Sequence, residues 1–157
     1  MKRSTLYLLV SLMLIAFGVN AAKAGLLQAQ ARYIAAASVQ SNQINLAWIN
    51  GNGTKRIVVA YDLANGAADW APVRTALGTT TAEFTDAGGD FSNGSIQSIS
   101  GYANYKVVDV LAGAARTSPI TNLTAGHTYA FHVFEYRMNG GAAVYDTDGA
   151  TMNPREI

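Results

Sequence analysis

The sequence predicts an all-β protein: one antiparallel β-sandwich of seven short strands that follows an N-terminal signal segment. Apolar side chains recur with period two through most of the chain, as they do on half-buried strands. Turn pairs rich in Gly and Asn separate these runs, and no convincing helical pattern occurs after residue 40. Charged residues make up 13% and hydrophobic residues 50%, a balance unlike that of disordered chains.

The predicted strands alternate with turns along a single domain. The runs with strand character are 41–49, 55–61, 82–84, 105–111, 117–123, 127–136 and 142–145. The turns that separate them include 50–53, 65–66, 88–89, 93–94 and 139–141. We expect the folded domain to span residues 31–152 and residues 153–157 to form a tail.

The first 24 residues read as a secretory signal peptide. A short basic start precedes a 14-residue apolar run at 6–19, and Ala22-Lys23-Ala24 offers an A-x-A cleavage pattern. The run is short for a membrane-spanning helix, which needs about 20 residues. The alternative is a retained N-terminal anchor or a pilin-like hydrophobic helix. Either way we expect bacterial-type export to the cell surface or the medium, with membrane contact only through this segment.

Charge and cysteine content exclude several classes of function. The net charge of +1 falls to about −2 without the leader, because 3 of the 11 basic residues lie in it while the 10 acidic residues remain. Nothing resembles the basic patch of a nucleic-acid-binding protein. The absence of cysteine excludes disulfides, thiolate metal sites and cysteine nucleophiles. No cofactor is expected.

The segment 25–40 has a pattern of its own. Every odd position from 27 to 39 is apolar, which suggests one long strand or arm. These positions are Leu27, Ala29, Ala31, Tyr33, Ala35, Ala37 and Val39. The alanine content equally permits a helix in the first half.

Two motifs resemble a known family. The stretch Ile44-Asn-Leu-Ala-Trp48 resembles the second strand of a fibronectin type III domain, with its inward tryptophan. The stretch from Leu123 through Gly126 to Tyr129 resembles the L-x-P-G-x-x-Y segment of that family, although Ala125 replaces the proline. The resemblance implies a tyrosine corner, in which the Tyr129 hydroxyl bonds to upstream backbone.

Longer stretches are similar to fibronectin type III modules of secreted bacterial surface proteins. The chain contains W-x-N-G-N-G-x-x-R-x-V-V from Trp48 to Val59 and T-Y-x-F-x-V-F-E-Y from Thr128 to Tyr136. The resemblance covers about residues 31–152. It implies the sandwich fold and says little about function, because such domains serve as spacers, adhesive modules and assembly units.

Both histidines of the chain lie near the second motif, which raises the question of a metal or acid–base site. His127 and His132 differ in parity, so on a strand they point to opposite faces and cannot share a metal ion. No catalytic or metal role is predicted for them. Glu135 has the inward parity, and we expect a salt bridge to Arg56, because a buried carboxylate is costly unless it is paired.

Two acidic turns, 86–93 and 146–149, are weak candidates for calcium, and ordinary solvated turns are the favoured interpretation. Three N-x-S/T sequons begin at Asn52, Asn93 and Asn122; they matter only if the host glycosylates exported proteins.

The predicted outer face of strand 127–136 carries a row of ring-containing side chains. We call the residues of this face and its neighbouring strand the aromatic row: His132, Phe134, Tyr136 and Tyr145. If exposed, the row would form an apolar interaction surface. The alternative is that a loop from residues 62–100 folds over it.

These observations predict a secreted, non-catalytic structural module. The leading hypothesis is a subunit of an extracellular fibre or surface layer, whose N-terminal arm adds a strand to a neighbouring copy or to another surface protein. The alternative is a monomeric adhesive or carbohydrate-binding module, with glycans held by Tyr136, Tyr145 and Trp70.

Overall fold

The computed structural model describes residues 29–93 and 97–157. The predicted signal peptide and Leu27 lie outside these residues. Within them the chain forms nine strands, one α-helix and one short 3₁₀ turn. The strands are β1 (Arg32–Val39), β2 (Ile44–Ile49), β3 (Lys55–Asp62), β4 (Gln97–Ile99), β5 (Tyr102–Ala112), β6 (Thr117–Ile120), β7 (Tyr129–Asn139), β8 (Ala142–Tyr145) and β9 (Arg155–Glu156). The 3₁₀ turn is Leu63–Asn65, and helix α1 is Trp70–Thr79.

Two antiparallel sheets form the sandwich. The small sheet has the order β1-β2-β6, and the large sheet has the order β4-β5-β3-β7-β8, with β9 also paired to β7. The central pair of the large sheet, β3 and β7, runs through eight paired positions without a register shift. This is the two-sheet architecture shared by immunoglobulin and fibronectin type III domains. The prediction of an antiparallel β-sandwich is therefore confirmed, with nine strands in the described residues instead of seven.

Strands β4 and β9 were not predicted, and the prediction of a strand at 82–84 is wrong, because these residues form a loop after α1. Strand β4 has three residues and β9 has two, below the length at which sequence alternation is recognisable. Strand β9 lies in the segment 153–157 that we expected to be a tail. It pairs with the start of β7, where Ala130 faces Glu156 and Phe131 faces Arg155.

The core between the sheets contains the inward residues of both. Its members include Trp48 and Leu46 from the small sheet and Val58, Phe131 and Val133 from the large sheet. The inward face of β7 therefore has the parity that the sequence predicts. Across the sandwich, the Ser118 hydroxyl on β6 donates a hydrogen bond to the Asp109 carboxylate on β5.

The corner before β7 has the geometry that the family resemblance implies. The Tyr129 hydroxyl accepts a hydrogen bond from the Thr124 backbone N–H at 2.9 Å, while Leu123 is buried beside it. Gly126 has φ of +81°, a conformation that glycine adopts without strain. At the other end, the Trp48 indole N–H donates to the Asn50 side chain at 2.8 Å.

Helix α1 contradicts the expectation of no helix after residue 40. Its start is capped by Asp69, whose carboxylate accepts a hydrogen bond from the Ala71 N–H at 3.1 Å. Its buried residues Trp70, Val73 and Leu77 follow the i, i+3, i+7 spacing of one helical face. The helix lies in the long connection between β3 and β4 and forms a third layer on the large sheet.

Candidate functional site

The aromatic row is buried, so the expectation of an exposed surface at these residues is wrong. His132, Phe134 and Tyr136 are 0% exposed and Tyr145 is 5% exposed. The physical reason is helix α1 and the chain that follows it, which pack over this face with Trp70, Val73 and Leu77. The structure thus has the alternative arrangement, in which part of residues 62–100 folds over the row. We call residues 69–83 the cover segment.

Tyrosine hydroxyls form hydrogen bonds with both ends of the cover segment. At its start, Tyr105 Oη accepts from the Asp69 N–H at 2.6 Å and donates to the Asp69 carbonyl at 2.9 Å. At its end, Tyr136 donates to the Glu83 carboxylate at 2.8 Å and Tyr145 donates to the Ala82 carbonyl at 3.0 Å. Burial and the nearby Glu83 carboxylate raise the pKa of both Tyr136 and Tyr145, so these hydroxyls keep their protons.

His132 lies beneath the helix without a polar partner. Its ring stacks on Phe134 with centroids 3.7 Å apart and planes 7° apart, and the Trp70 ring lies 5.1 Å away. Neither ring nitrogen has a hydrogen-bond partner among the described residues. Burial, together with the positive charge of Arg74, lowers the pKa of His132 to about 3. The imidazole is therefore neutral at ordinary pH.

The other histidine occupies a different environment. His127 Nδ1 lies 2.8 Å from the Asp62 carboxylate near the protein surface. His132 instead lies on the covered face of β7, in contact with Trp70 and Phe134. The two histidines are apart, as expected, but strand parity is not the reason: His127 precedes β7, which begins at Tyr129. No group of three or more His, Asp or Glu side chains in the described residues is arranged to hold a metal ion.

A buried ion pair connects several distant segments at one end of the sandwich. The Arg56 guanidinium donates to both Glu135 carboxylate oxygens at 3.3 Å, as the sequence predicts for this pair. Arg56 also donates to the carbonyls of Gly113 and Ala115 at 2.9 and 2.8 Å. Glu135 accepts from the Gly51 N–H at 2.9 Å. These additional hydrogen bonds offset the cost of burying two charges.

The two glycines of the Asn-Gly-Asn-Gly turn are required by close approaches. A Cβ on Gly51 would lie 1.9 Å from the Ala29 carbonyl oxygen. A Cβ on Gly53 would lie 2.5 Å from a Glu135 carboxylate oxygen. The motif that supported the family resemblance is therefore a packing site for the buried ion pair and for the incoming N-terminal chain.

The N-terminal arm is built into its own sandwich. Ala31 and Ile34 are fully buried, and the Gln30 side chain accepts from the Glu135 N–H at 2.7 Å and donates to the Asp146 carbonyl at 2.9 Å. The carboxamide of Asn153 donates to the carbonyls of Ala31 and Val133 at 2.7 and 2.8 Å. Residues 29–34 therefore cannot leave the fold without exposing its core.

The predicted alternation of the arm does not persist. Tyr33 has φ of +55° and lies at a register shift of the β1–β2 pairing, so Ala31 and Ile34 both point inward. Beyond this bulge the odd positions Ala35, Ala37 and Val39 face solvent. The arm is thus a strand with its odd side chains divided between the core and the surface.

Strand β1 is an edge of the small sheet, and its second half is unpaired on the outer side. The Tyr33 and Ile34 N–H groups donate to the Thr151 and Met152 carbonyls at 2.9 and 3.1 Å, so the first half of this edge is occupied. From Ala35 to Val39, no described strand pairs with the side opposite β2. We call this stretch, residues 35–39, the open edge. Its last residue, Val39, is 62% exposed.

The sheet edges at β6 and β8 are closed by other parts of the chain. Beside β6, Thr121 and Gly89 form a hydrogen bond at 2.9 Å and Asp90 forms a bridge with Thr121. Pro119 also removes one backbone donor from that strand. Beside β8, the Ala143 N–H donates to the Thr81 carbonyl of the cover segment at 2.7 Å. Unpaired edges invite strand addition, so the open edge stands out against these protected ones.

The residues considered for glycan binding do not form an exposed platform. Tyr136, Tyr145 and Trp70 are buried in the layer between α1 and the large sheet. One edge of Trp70 lines a shallow cleft of about 560 Å³ together with Ala130, Pro154 and Arg155. The stacking of a sugar on all three rings is therefore excluded in the covered state.

The acidic turns serve local structure. The Asp86 carboxylate accepts from the N–H groups of Gly88 and Val110 at 2.9 and 3.1 Å. The Asp146 carboxylate accepts from the Asp148 N–H at 3.0 Å. These hydrogen bonds are typical of turns that contain Asp.

Comparison with known proteins gives similarity in fold alone. No protein-family model matches the chain, and no curated protein matches it. A fibronectin type III domain of human collagen XX is similar, with 14% identity, a TM-score of 0.44, and coverage of 83% of this chain and 90% of that one. The FN5 domain of Drosophila Lar gives 9% identity, a TM-score of 0.42, and coverage of 81% and 90%.

A further similar structure, described as titin kinase and its flanking domains, gives 15% identity and a TM-score of 0.42. The aligned region covers 82% of this chain and 17% of the other chain. The class of the present protein rests on its own strand pairing, two-sheet core and tyrosine corner. These define an antiparallel β-sandwich similar to fibronectin type III domains, with an added helical layer. No helix among residues 29–93 and 97–157 is long and apolar enough to span a membrane.

Proposed function

We propose that this protein is an exported, non-catalytic structural module that assembles with copies of itself by strand addition. The chain that precedes Ala29 in one copy pairs with the open edge of the next copy. The observation that carries the proposal is the unpaired outer side of β1 from Ala35 to Val39. Main-chain hydrogen bonds along such an edge supply affinity, and alternate side chains supply register.

Only part of the N-terminal arm can add as a strand to a neighbouring copy. Residues 29–34 are held by the core and by the hydrogen bonds of Gln30 and Asn153. Residues 35–39 are paired with β2 and form the acceptor. The donor must therefore come from residues before 29, a segment that includes Leu27 and lies outside the described residues.

The donor and acceptor lie at opposite ends of β1. Ala29 exchanges hydrogen bonds with Asn52 in the turn that joins β2 to β3. Val39 lies at the other end, beside the β1–β2 turn closed by the Gln40 N–H and the Gln43 carbonyl at 2.8 Å. A contact between different surfaces at opposite ends is heterologous, and such contacts generate filaments when the rotation does not close.

Charged edge variants and donor deletions test this proposal together. We expect Ala37→Lys to abolish polymer formation, because a lysine on an edge strand opposes pairing with another strand. Deletion of residues 25–28, which keeps the predicted signal peptide at 1–24 and leaves Ala31 and the core in place, should do the same. Sedimentation velocity and negative-stain microscopy of the exported protein measure both effects.

Mixing experiments separate the two roles. The deletion variant retains an acceptor and the Ala37→Lys variant retains a donor, so each should shorten wild-type polymers when added in small amounts. The matched control is Ala67→Lys, the same change at an exposed residue of the loop before α1. Polymers of unchanged length with either variant would sink the proposal.

A further inference from the structure

The imidazole of His132 is enclosed by side chains that offer it no hydrogen bond. It is 0% exposed, stacked against Phe134 on its own strand and close to Trp70 of α1. A neutral ring in this position loses two hydrogen bonds to water and gains aromatic contacts. A protonated ring in the same position would be a buried charge without a partner, which is far more costly.

The charged groups around His132 oppose its protonation. Arg74, on the same helix that covers the ring, contributes positive charge next to it. Carboxylates occur on the two segments that follow β8: Asp146 and Asp148 in the loop and Glu156 on β9. None of them forms a hydrogen bond or ion pair with the ring. The β3 residue that pairs with His132 is Val59, which is apolar.

We propose that the cover segment is an acid-released lid over the aromatic row, which stays closed only while His132 is uncharged. Acidification protonates the imidazole when the lid opens and water reaches it. Water solvates the new charge in the open form. Repulsion between the imidazolium and Arg74 destabilises the closed form. Opening exposes Phe134 and Tyr136, which converts a buried layer into an exposed apolar surface.

The direction of the pH effect follows from the two protonation states. The pKa of His132 is lowered to about 3 in the closed form, chiefly by burial. A solvated histidine in the open form has a pKa of about 6.5. The open form therefore binds the proton first as the pH falls below about 6.5, and the closed form loses stability progressively down to about pH 3. Above pH 7 neither form is protonated, and the lid is fully stable.

The lid can leave without unfolding the sandwich because the two layers are separate. The aromatic row and α1 belong to one cluster of buried side chains, and the core between the sheets belongs to another. The cover segment is joined to the large sheet by side-chain packing, by tyrosine hydroxyl bonds at its ends, by the ion pair of Glu83 with Lys55 on β3 at 2.6 Å and by one backbone bond to Ala143. The paired strands β3 and β7 do not depend on it for their ladder.

Hydrogen exchange of the α1 amides between pH 8 and pH 4, corrected for intrinsic exchange rates, tests the proposal on the whole protein. We expect the opening equilibrium of residues 73–79 to rise about 300-fold over this range, with a slope of one proton per molecule. The amides of β2 should stay protected throughout. Equal loss of protection in α1 and β2 would overturn the proposal, because the acid effect would then be global.

Two histidine variants identify the titrating group. His132→Phe keeps an aromatic ring against Phe134 but cannot be protonated, so the rise of about 300-fold in its α1 exchange should be lost. Only a smaller acid effect from Glu83 should remain, because hydrogen bonds from Lys55 and Tyr136 lower the pKa of that carboxyl in the closed form. His127→Gln removes the histidine bonded to Asp62, and its α1 exchange should follow wild type. A His132→Phe profile that matches wild type would contradict the proposal.

A measurement on the wild-type protein tests the proposal even if the His132→Phe variant misfolds. Nuclear magnetic resonance of the His132 ring should show protonation only together with the loss of α1 protection. A ring that titrates near pH 6.5 while the α1 amides remain protected would overturn the proposal, since protonation would then be compatible with the closed lid.

Discussion

The outer faces of the two sheets differ in the size of their side chains and in whether a helix covers them. The large sheet presents His132, Phe134 and Tyr136, all fully buried beneath α1. The small sheet presents Ala35 and Ala47 as a directly opposed pair, and no described helix covers them. Aromatic side chains each bury about 150–250 Å² of surface, whereas alanine exposes little. The size of the outward side chains therefore accounts for why one face needs a cover and the other does not.

The two sheets also differ in how accessible their potential contact surfaces are. The apolar groups of the large sheet are buried beneath the cover segment, which we propose to be an acid-released lid. The small sheet keeps a permanently accessible edge at residues 35–39, where the attractive groups are backbone N–H and C=O. The proposed assembly through this edge would require no rearrangement of the fold, whereas contact with the aromatic row would require opening of the cover segment.

Truncation of the covered row should give the largest loss of stability. We expect Phe134→Ala to lower the free energy of unfolding by about 3–5 kcal/mol, because it removes a buried ring between α1 and the large sheet. Urea denaturation followed by tryptophan fluorescence measures the change. A loss below 1 kcal/mol would show that the layer under α1 is loosely packed and that the two outer faces are not as different as we describe.

The interior between the sheets should respond to acid with the opposite sign to the lid. Burial raises the pKa of Asp109 to about 6, and the neighbouring Asp86 adds to the effect. The unfolded value is about 3.9, so the contribution of Asp109 to stability is fully present below pH 3.9 and is lost as the pH rises through 6.

The variant Asp109→Asn isolates this contribution. Relative to wild type, we expect the variant to gain about 2 kcal/mol in the free energy of unfolding between pH 4 and pH 7. Urea titrations at several pH values measure the difference. Parallel stability curves for the two proteins would mean that Asp109 keeps an ordinary pKa in the fold.

Loss of the helix cap should weaken the lid moderately. We expect Asp69→Ala to cost about 1 kcal/mol, because the Ala71 N–H loses its acceptor at the start of α1. The effect should appear as faster hydrogen exchange in α1 with little change in β2. Asp69→Asn should restore most of the protection, and a failure to do so would assign the loss to something other than the cap.

Truncation on the small sheet should give the smallest effect. Ile49 lies on β2 with its side chain exposed to solvent. We expect Ile49→Ala to change the free energy of unfolding by no more than about 0.5 kcal/mol. A cost comparable to that of Phe134→Ala would reveal a hidden cover on this face and remove the contrast between the sheets.

Much of the sandwich was predictable because its signals are local. Strands β2, β3, β7 and β8 lie close to their predicted positions, since each alternates apolar side chains over enough residues to be recognised. The parity of β7 correctly placed Phe131 and Val133 in the core between the sheets. The same parity paired Glu135 with Arg56, which lie directly opposite each other in the β3–β7 register.

A cover from residues 62–100 was one of the two alternatives left open, but its helix was missed although the sequence contains helix signals. Asp69 is a good N-cap, and Trp70, Val73 and Leu77 have helical spacing. The helix has only ten residues, and its pattern is weakened by Pro72, Gly78 and two threonines. The burial of the aromatic row could not be predicted from β7 alone, because it depends on residues about 60 positions earlier in the chain.

The sequence by itself determined the strand periodicity, the turn chemistry and the corner at Tyr129, because these depend on near neighbours and on the two faces of a strand. The tertiary structure decided which outer face is covered, where β1 bulges and which edge stays open. Those outcomes depend on contacts between residues far apart in the chain, such as Trp70 with His132 and Asn153 with Ala31. Local periodicity assigns a side chain to a face, but only packing between distant segments determines what that face meets.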